Sequence, residues 1–565
     1  MNLHELVSDV VLDTRLSIWA FRPELCLCAT VVAMLIARML PGGRRFDVFY
    51  LALAGTGLSL WLTNPWIHLG EPVNAAVSGR IELFTGMLVY DPFTIFMRSI
   101  LIGFGALFLV FTKLSGIPDH EDAPDIYALV VGALIGMCLM ASANHLLMVF
   151  MAVEMASVPS YVLAGLLKGR RLGSEAALKY SIYGAGTAGV MLYGISLIAG
   201  LFHTAHLPTL TARMAETLPA MSASELMVLA LAGLMLMVGL AFKLSAVPFH
   251  FWCPDVFEGA TAEVDAFLSV ASKAAALALL VRVVIGMGAI TPAAQPEAAD
   301  NVPGIVQAAH AETPSSAAVA NERLHPARDL TGQLLALLAA ITCTFGNLAA
   351  YAQNNLKRLL AYSTIAHAGY MMMPVSALLV MVRFDTVAAA SAVSALAIYL
   401  GVYLFMNLTA FAVVAFLRNT LHSEQINDYA GLVRRCPTLV VCFAITLFGL
   451  IGLPPLSGFI GKFAIFAALV DGYQISVQGG HPQPYLLALL IVGGLNTVLS
   501  LFYYLRVIKV MTFEEEPADR RPFSFSAVSL PGAFICLLTA PTALLIVNWD
   551  VLNQWATAAA RFLLL

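Results

Sequence analysis

Residues 241–252 read AFKLSAVPFHFW and residues 452–463 read GLPPLSGFIGKF. Each stretch sets a lysine close to proline inside a long apolar run: Lys243 precedes Pro248, and Lys462 follows Gly452, Pro454, Pro455 and Gly458. Proline removes a backbone donor and clashes with the preceding turn, so both helices are expected to break at mid-membrane. Freed backbone groups in hydrocarbon are tolerated only against protein or water. Interrupted helices at matching places in two halves of a chain are the best sequence pointer to an ion pathway. A harmless kink explains one such proline more easily than two, each with a lysine beside it.

The rest of the chain supplies the membrane setting. Of 565 residues, 60% are hydrophobic and 11% charged, whereas a soluble domain carries about 25% charged residues. Mean hydropathy is +0.85 over the whole length, so little chain is left for a soluble catalytic domain. A helix crosses the hydrocarbon in about 20 residues, which places spans at 23–41, 47–67, 84–112, 125–143, 145–167, 176–201, 224–249, 262–289, 332–351, 359–381, 387–417, 437–470, 485–510 and 528–548. The expectation is an all-α polytopic membrane protein with about 14 transmembrane helices. Strands are excluded because a membrane barrel shows short segments of strict alternation.

The expected divisions are three N-terminal helices in 1–124, a five-helix repeat in 125–290, an external Ala/Pro-rich loop at 291–331, a second five-helix repeat in 332–512, and a last helix with tail in 513–565. Five is odd, so the second repeat enters the membrane inverted, with the broken helices 7 and 12 fourth in each. Sorting the 30 Lys and Arg with the N-terminus outside leaves sixteen in cytoplasmic loops and eight in external ones. That bias satisfies the positive-inside rule and sets both termini outside. Met1 to Ser17 carries Glu5, Asp9 and Asp13 and has no basic head with a cleavable apolar core, so no signal peptide is expected.

Several function classes drop out. A net charge of −4 gives no basic field for nucleic acid. Eight cysteines lie mostly in apolar stretches and read as small buried hydrophobes. Cys26 and Cys28 point to different helix faces, which suits neither a metal cage nor a redox pair. His145, His203, His206, His250 and His367 offer no defensible haem pairing, and no glycine-rich phosphate loop or iron–sulfur cysteine set is present. No cofactor or metal is expected in this chain.

Six cations fall inside the expected spans: Arg98, Lys179, Lys243, Lys273, Arg282 and Lys462. Each costs about 2.5–3.5 kcal/mol at a helix centre. Snorkelling fits Arg98, Lys179 and Arg282, which lie nearer span ends. Lys243, Lys273 and Lys462 are harder to dismiss. Glu154, in LLMVFMAVEMASVPSYVLAG, is the one charge between Asp125 and Lys168. Burial disfavours charge on a carboxyl and on an amine alike, so Glu154 and Lys243 would exchange a proton at modest cost as neighbours. Lys273, in FLSVASKAAALALL, would receive it and Lys462 would end the line. His367 is a candidate bridge, since imidazole donates and accepts near neutral pH. His250 is a weaker candidate, and Tyr370, Tyr399 and Tyr403 would hold water.

The residues also resemble a known family, the antiporter-like membrane subunits of respiratory complex I. The likeness runs through FTGMLVYDPF (84–93), the apolar stretch 125–165, EAALKYSIYGA (175–185), GLAFKLSAVPFHFWCPDVFEGA (239–260), FLSVASKAA (267–275), NNLKRLLAYSTIAHAGYMM (354–372) and GLPPLSGFIGKFAIF (452–466). An ending soon after the last span and a lysine in GFIGKF set the chain nearest the subunit N branch. By resemblance, Glu154, Lys243, Lys273 and Lys462 match the family's proton-carrying residues in helices 5, 7, 8 and 12, and Lys179 matches a further lysine in helix 6. The resemblance implies proton movement along a hydrated mid-membrane axis, coupled to quinone reduction elsewhere. It implies NAD, FMN, iron–sulfur clusters and quinone in partner subunits, with antiporter-like subunit M and the small subunits K and J as neighbours. The chain departs from the family in the length of its 291–330 loop and in Thr261, where the family often has proline after EGA.

Two rivals follow from the same residues. A stand-alone cation/proton antiporter would use the same broken helices but work without partners. A scaffold subunit that pumps nothing would tolerate loss of Lys243.

Overall fold

The computed structural model describes residues 3–39, 47–69, 80–117, 122–167, 169–289, 322–517, 520 and 525–564, with side chains from residue 10 onward. Most of the 291–331 loop expected from sequence lies outside these residues. Its end does not: from His325 onward the chain is already helical.

The chain forms helices α1 (Leu3–Ala20), α2 (Arg22–Met39) and α3 (Val48–Thr63), a hairpin β1 (Ile81–Leu83) and β2 (Leu88–Tyr90), and then α4 (Pro92–Ser115), α5 (Ala123–Ser142), α6 (Leu146–Ala164), α7 (Arg171–Phe202), α8 (Leu207–Thr217), α9 (Ala223–Leu244), α10 (Trp252–Gly259) and α11 (Ala262–Gly288). There follow α12 (His325–Ala350), α13 (Leu356–Met381), α14 (Thr386–Leu421), α15 (Pro437–Ile451), α16 (Ser457–Gln478), α17 (Tyr485–Phe513), α18 (Leu530–Leu544) and α19 (Asp550–Leu564). Among the described residues, eleven helices are long and apolar enough to cross a membrane, or up to twelve if α1 and α2, bent by 79°, form one span. The apolar α15 and α18 are shorter. This is a multi-pass membrane protein.

The span expected at 84–112 is corrected. Residues 81–90 form the hairpin, with Ile81 opposite Tyr90 and Leu83 opposite Leu88. Phe84, Thr85 and Gly86 take positive φ in its turn. The hydroxyl of Ser17 accepts from the Phe84 N–H and the Asp13 carboxylate from the Thr85 N–H, so α1 holds that turn. The helix starts only where Asp91 caps it, accepting from the Thr94 N–H at 2.8 Å, with proline pre-set at its first position.

Burial is graded by position. The apolar windows of α11 and α13 are wholly buried and that of α14 nearly so, whereas α7, α9 and α17 keep most of theirs open. Leu178 and Ile182 on α7, or Leu495 and Val498 on α17, are therefore exposed. In water that much open leucine would be a liability; in lipid it is the solvent-facing surface. Three helices buried on every side thus run through the centre, and a polar group on any of them faces protein.

Both expected interruptions occur. Helix α9 ends at Ser245, whose φ is +55°, and the chain turns through a cis Val247–Pro248 bond before α10. Helix α15 ends at Gly452, with φ +87°, followed by a cis Pro454–Pro455 bond. Glycine is required at 452: besides its left-handed backbone, a Cβ there would lie 2.9 Å from the Lys462 Cδ.

Candidate functional site

A helix that stops inside the protein leaves its last carbonyls without intrahelical partners and gathers partial negative charge. Buried lysines answer both interruptions. Lys273, on the fully buried α11, donates to the Leu244 carbonyl at the end of α9 at 3.2 Å. Lys462, in the second turn of α16, donates to the Ile451 carbonyl at the end of α15 at 2.9 Å. Their side chains are almost wholly buried, at 0% and 3% exposure, and among the described residues neither forms an ion pair with a carboxylate.

Lys243, in the last turn of α9, is likewise buried. Its Nζ lies 5.9 Å from the ring centres of Tyr161 and Tyr180, a cation–π cradle. Glu154, on α6, is within electrostatic reach of Lys243, and its Oε1 is buried without a hydrogen bond. Among the described residues, no closed ion pair joins the two groups.

Lys273 also reaches the Thr364 carbonyl at 3.5 Å, one turn before His367. The His367 ring has Nδ1 at 2.5 Å from the Tyr399 hydroxyl and Nε2 at 3.4 Å from the Tyr504 hydroxyl. With two flanking hydroxyls, either nitrogen has a partner in either tautomer. Tyr370, one turn further on α13, presents its ring 4.5 Å from the Lys462 Nζ. Helix α16 comes this close because residue 461 is glycine: a Cβ there would fall 2.2 Å from the Tyr399 Cδ2. Lys273 and Lys462 thus meet α13 on either side of His367, at the Thr364 carbonyl and the Tyr370 ring.

The other sequence candidates stand elsewhere. Lys179 is tied to Asp255 at 2.6 Å and Glu175 at 2.8 Å and is partly exposed, in a charged cluster that Arg358 joins through Asp255 and Glu258. His250 is buried between Phe251 and Phe345. Arg98 and Arg282 do not snorkel. Arg98 lies 2.7 Å from Glu24, and Arg282 holds both oxygens of Asp91 at 2.6 Å while donating to Thr94 and to the Ala141 carbonyl. All four side chains of these two pairs are buried. Of the cysteines, Cys138, Cys253, Cys343, Cys436 and Cys442 are buried as expected, while Cys26, Cys28 and Cys536 are only partly covered.

Residues 143–298 and 317–478 match the family described as NADH:quinone oxidoreductase/Mrp antiporter, transmembrane. The chain belongs to this family. It is 35% identical over 97% of its length, and 97% of the relative's, to the NADH-quinone oxidoreductase subunit N of Anaeromyxobacter sp. (strain Fw109-5). It is 36% identical, over 98% of this chain and 99% of the relative, to subunit N 2 of Sorangium cellulosum. Among solved structures, a chain of respiratory complex I from Thermus thermophilus with bound aureothin is 28% identical at a TM-score of 0.65, covering 94% of this chain and 99% of that one. A chain of the Mrp complex from Dietzia sp. DQ12-45-1b, 17% identical with a TM-score of 0.71 over 97% of both chains, shares the fold.

Sequence reasoning missed a polar cluster on α12 and α17. The amide of Asn347 donates to Asn496 at 3.0 Å, Tyr503 donates to Asn347 at 3.0 Å, and Asn496 donates to Thr344 at 2.9 Å. Tyr370 reaches Thr497 at 3.2 Å. Amides in apolar helices were the available signal, since each would otherwise be an unsatisfied group in hydrocarbon.

Proposed function

We propose that the chain is a proton-translocating membrane subunit of a redox-driven NADH-quinone oxidoreductase, and that Glu154, Lys243, Lys273, His367 and Lys462 carry the proton, with Lys179 outside the line as an anchor at its rim. The observation that supports this reading is the pair of buried lysines, each seated on the open end of an interrupted helix and each touching α13 on one side of His367. A proton leaving such a lysine weakens its hold on the carbonyl, so charge on the line and geometry of the break are coupled. A change at a neighbouring subunit that alters the charge next to Glu154 and Lys243 shifts the preference of each group for its proton, and the displaced proton moves toward Lys462. Moving one charge through 100 mV takes about 2.3 kcal/mol, which is within the range by which burial and pairing bias a titratable group.

The wider arrangement follows from this reading. Fourteen spans are reached by counting the interrupted pairs as one each, with inverted five-helix repeats at 125–290 and 332–512 flanked by 1–124 and 513–565. Both termini lie on the periplasmic side of a bacterial inner membrane. NAD, FMN, iron–sulfur clusters and quinone belong to partner subunits, and subunits M, K and J are neighbours. Full-length likeness to subunit N chains favours this assembly over an independent antiporter.

The test is proton uptake by vesicles carrying the assembled complex, recorded with NADH-driven electron transfer, for Glu154→Gln and Lys243→Met. Loss of uptake together with slowed electron transfer is expected. Unchanged uptake per electron in both variants refutes the line, and isolation of an active single chain without flavin or iron–sulfur subunits refutes the assembly.

A further inference from the structure

Helix α11 opens with two buried acids, Glu263 and Asp265, that the line above does not use. Asp265 is 0% exposed, and neither of its carboxylate oxygens accepts a hydrogen bond. Unpaired buried carboxyls are costly, so a position that keeps one calls for a reason. Thr261 caps the helix, accepting from the Val264 N–H, so a carboxylate at 265 is not needed for that.

Nor is Asp265 consumed as a counter-ion. The charges within its reach are Lys357, Glu424, Glu263 and Arg418. Lys357 is 1% exposed and uses its three donors elsewhere: on Glu424 at 3.0 Å, on the Glu258 carbonyl at 3.1 Å and on the Ala260 carbonyl at 2.7 Å. Glu424 itself is partly exposed, beside the exposed His422 and Gln425. From Asp265, residues Ser269 and Lys273 follow at four-residue steps, all buried and within a quarter-turn of one face. The rise from 265 to 273 is about 12 Å, shortened by the lysine side chain, which leans back toward the helix start.

We propose that Asp265 is the group that loads Lys273 with protons from the face bearing Lys357, Arg358 and Arg418, with Glu424 as the surface collector. This rests on the proton line through Lys273. Glu424 takes a proton from water and passes it to the Asp265 carboxylate, making a neutral acid. Once Lys273 has handed its own proton toward His367, the acid donates to the free amine by way of the Ser269 hydroxyl and bridging water. That leaves a carboxylate at 265 and an ammonium at 273, and Glu424 recharges the carboxylate. Lys357 holds Glu424 in place.

The experiment compares Asp265→Asn, Asp265→Thr, Asp265→Glu and Lys273→Met in the assembled complex in vesicles, reading proton translocation, electron transfer and the amount of complex. The Asn and Thr variants are expected to assemble and to lose about tenfold or more of coupled translocation, on the scale of a lost proton-transfer group, while Glu restores it. Normal translocation in either the Asn or the Thr variant overturns the proposal. So does failure of both to assemble while Glu assembles, which would assign Asp265 to folding. If Lys273→Met also translocates normally, the line itself fails; if Lys273→Met is dead and Asp265→Asn is normal, only the loading role fails.

Discussion

The contact between Gly461 and Tyr399 gives a way to disturb the line without removing any ionisable group. In Gly461→Ala, the new methyl would lie 2.2 Å from the Tyr399 Cδ2 and 3.2 Å from its Cα, so both ring and backbone resist. Either α16 withdraws from α14 or the Tyr399 ring turns away and gives up its 2.5 Å bond to His367. Overfilling a dense interior costs about 1–3 kcal/mol, and a lost buried hydrogen bond adds about 1 kcal/mol, for a total of about 2–4 kcal/mol. Gly494, in the middle of α17, is the control, since a Cβ there meets nothing within 4 Å. Gly494→Ala should be neutral or stabilising by up to about 1 kcal/mol from helix propensity. Both variants are assayed for heat resistance of the assembled complex and for protons moved per electron. Gly461→Ala should lower both and Gly494→Ala neither. Equal behaviour of the two variants would refute the claim that close approach of α16 to Tyr399 is what connects His367 to Lys462.

Other perturbations test separate parts of the structure. Asp91→Asn leaves the Arg282 guanidinium buried without its counter-ion and should cost about 3–5 kcal/mol, seen as lost assembly or a lower unfolding temperature. Glu82, on β1, is drawn upward by burial, but the His206 ring, the Asn144 amide and Arg80 outweigh this and hold its carboxyl below the usual glutamate range. A depressed folded value means this contact stabilises above the unfolded value and is lost as pH falls through the folded one. Protection of the hairpin amides 84–90 against hydrogen exchange, taken relative to the intrinsic rate at each pH, should therefore fall on acidification, and a Glu82→Gln variant should lack that acid-dependent step. His367→Phe keeps a flat ring but no proton, and should stop translocation while leaving the amount of assembled complex near normal, measured by quantitative gel and vesicle uptake.

How far the sequence reaches depends on whether the physics is local. Lysines in apolar runs next to prolines announce themselves, and Lys243, Lys462 and both interruptions lie where that pattern puts them. Lys273 is legible as a cation inside the apolar run FLSVASKAAALALL. What escapes depends on partners far along the chain. Arg98 finds Glu24 and Arg282 finds Asp91, 191 residues away, and without those partners position near a span end suggested snorkelling. Lys357 sits beside Arg358 in a basic loop-like segment, yet one is buried and the other partly exposed; only helix packing distinguishes them. The hairpin at 81–90 escapes hydropathy, which does not register the positive-φ turn at Phe84, Thr85 and Gly86. The amphipathic α19 escapes as well, because it is not continuously apolar.

The most direct test is to follow the pH gradient and NADH oxidation together in vesicles of the assembled complex carrying Lys462→Met. Methionine fills much of the lysine's volume but leaves the Ile451 carbonyl without a proton-bearing partner. Protons moved per electron should fall together with the rate of NADH oxidation. A normal gradient at a normal rate, with the variant subunit verified in the complex, would contradict it.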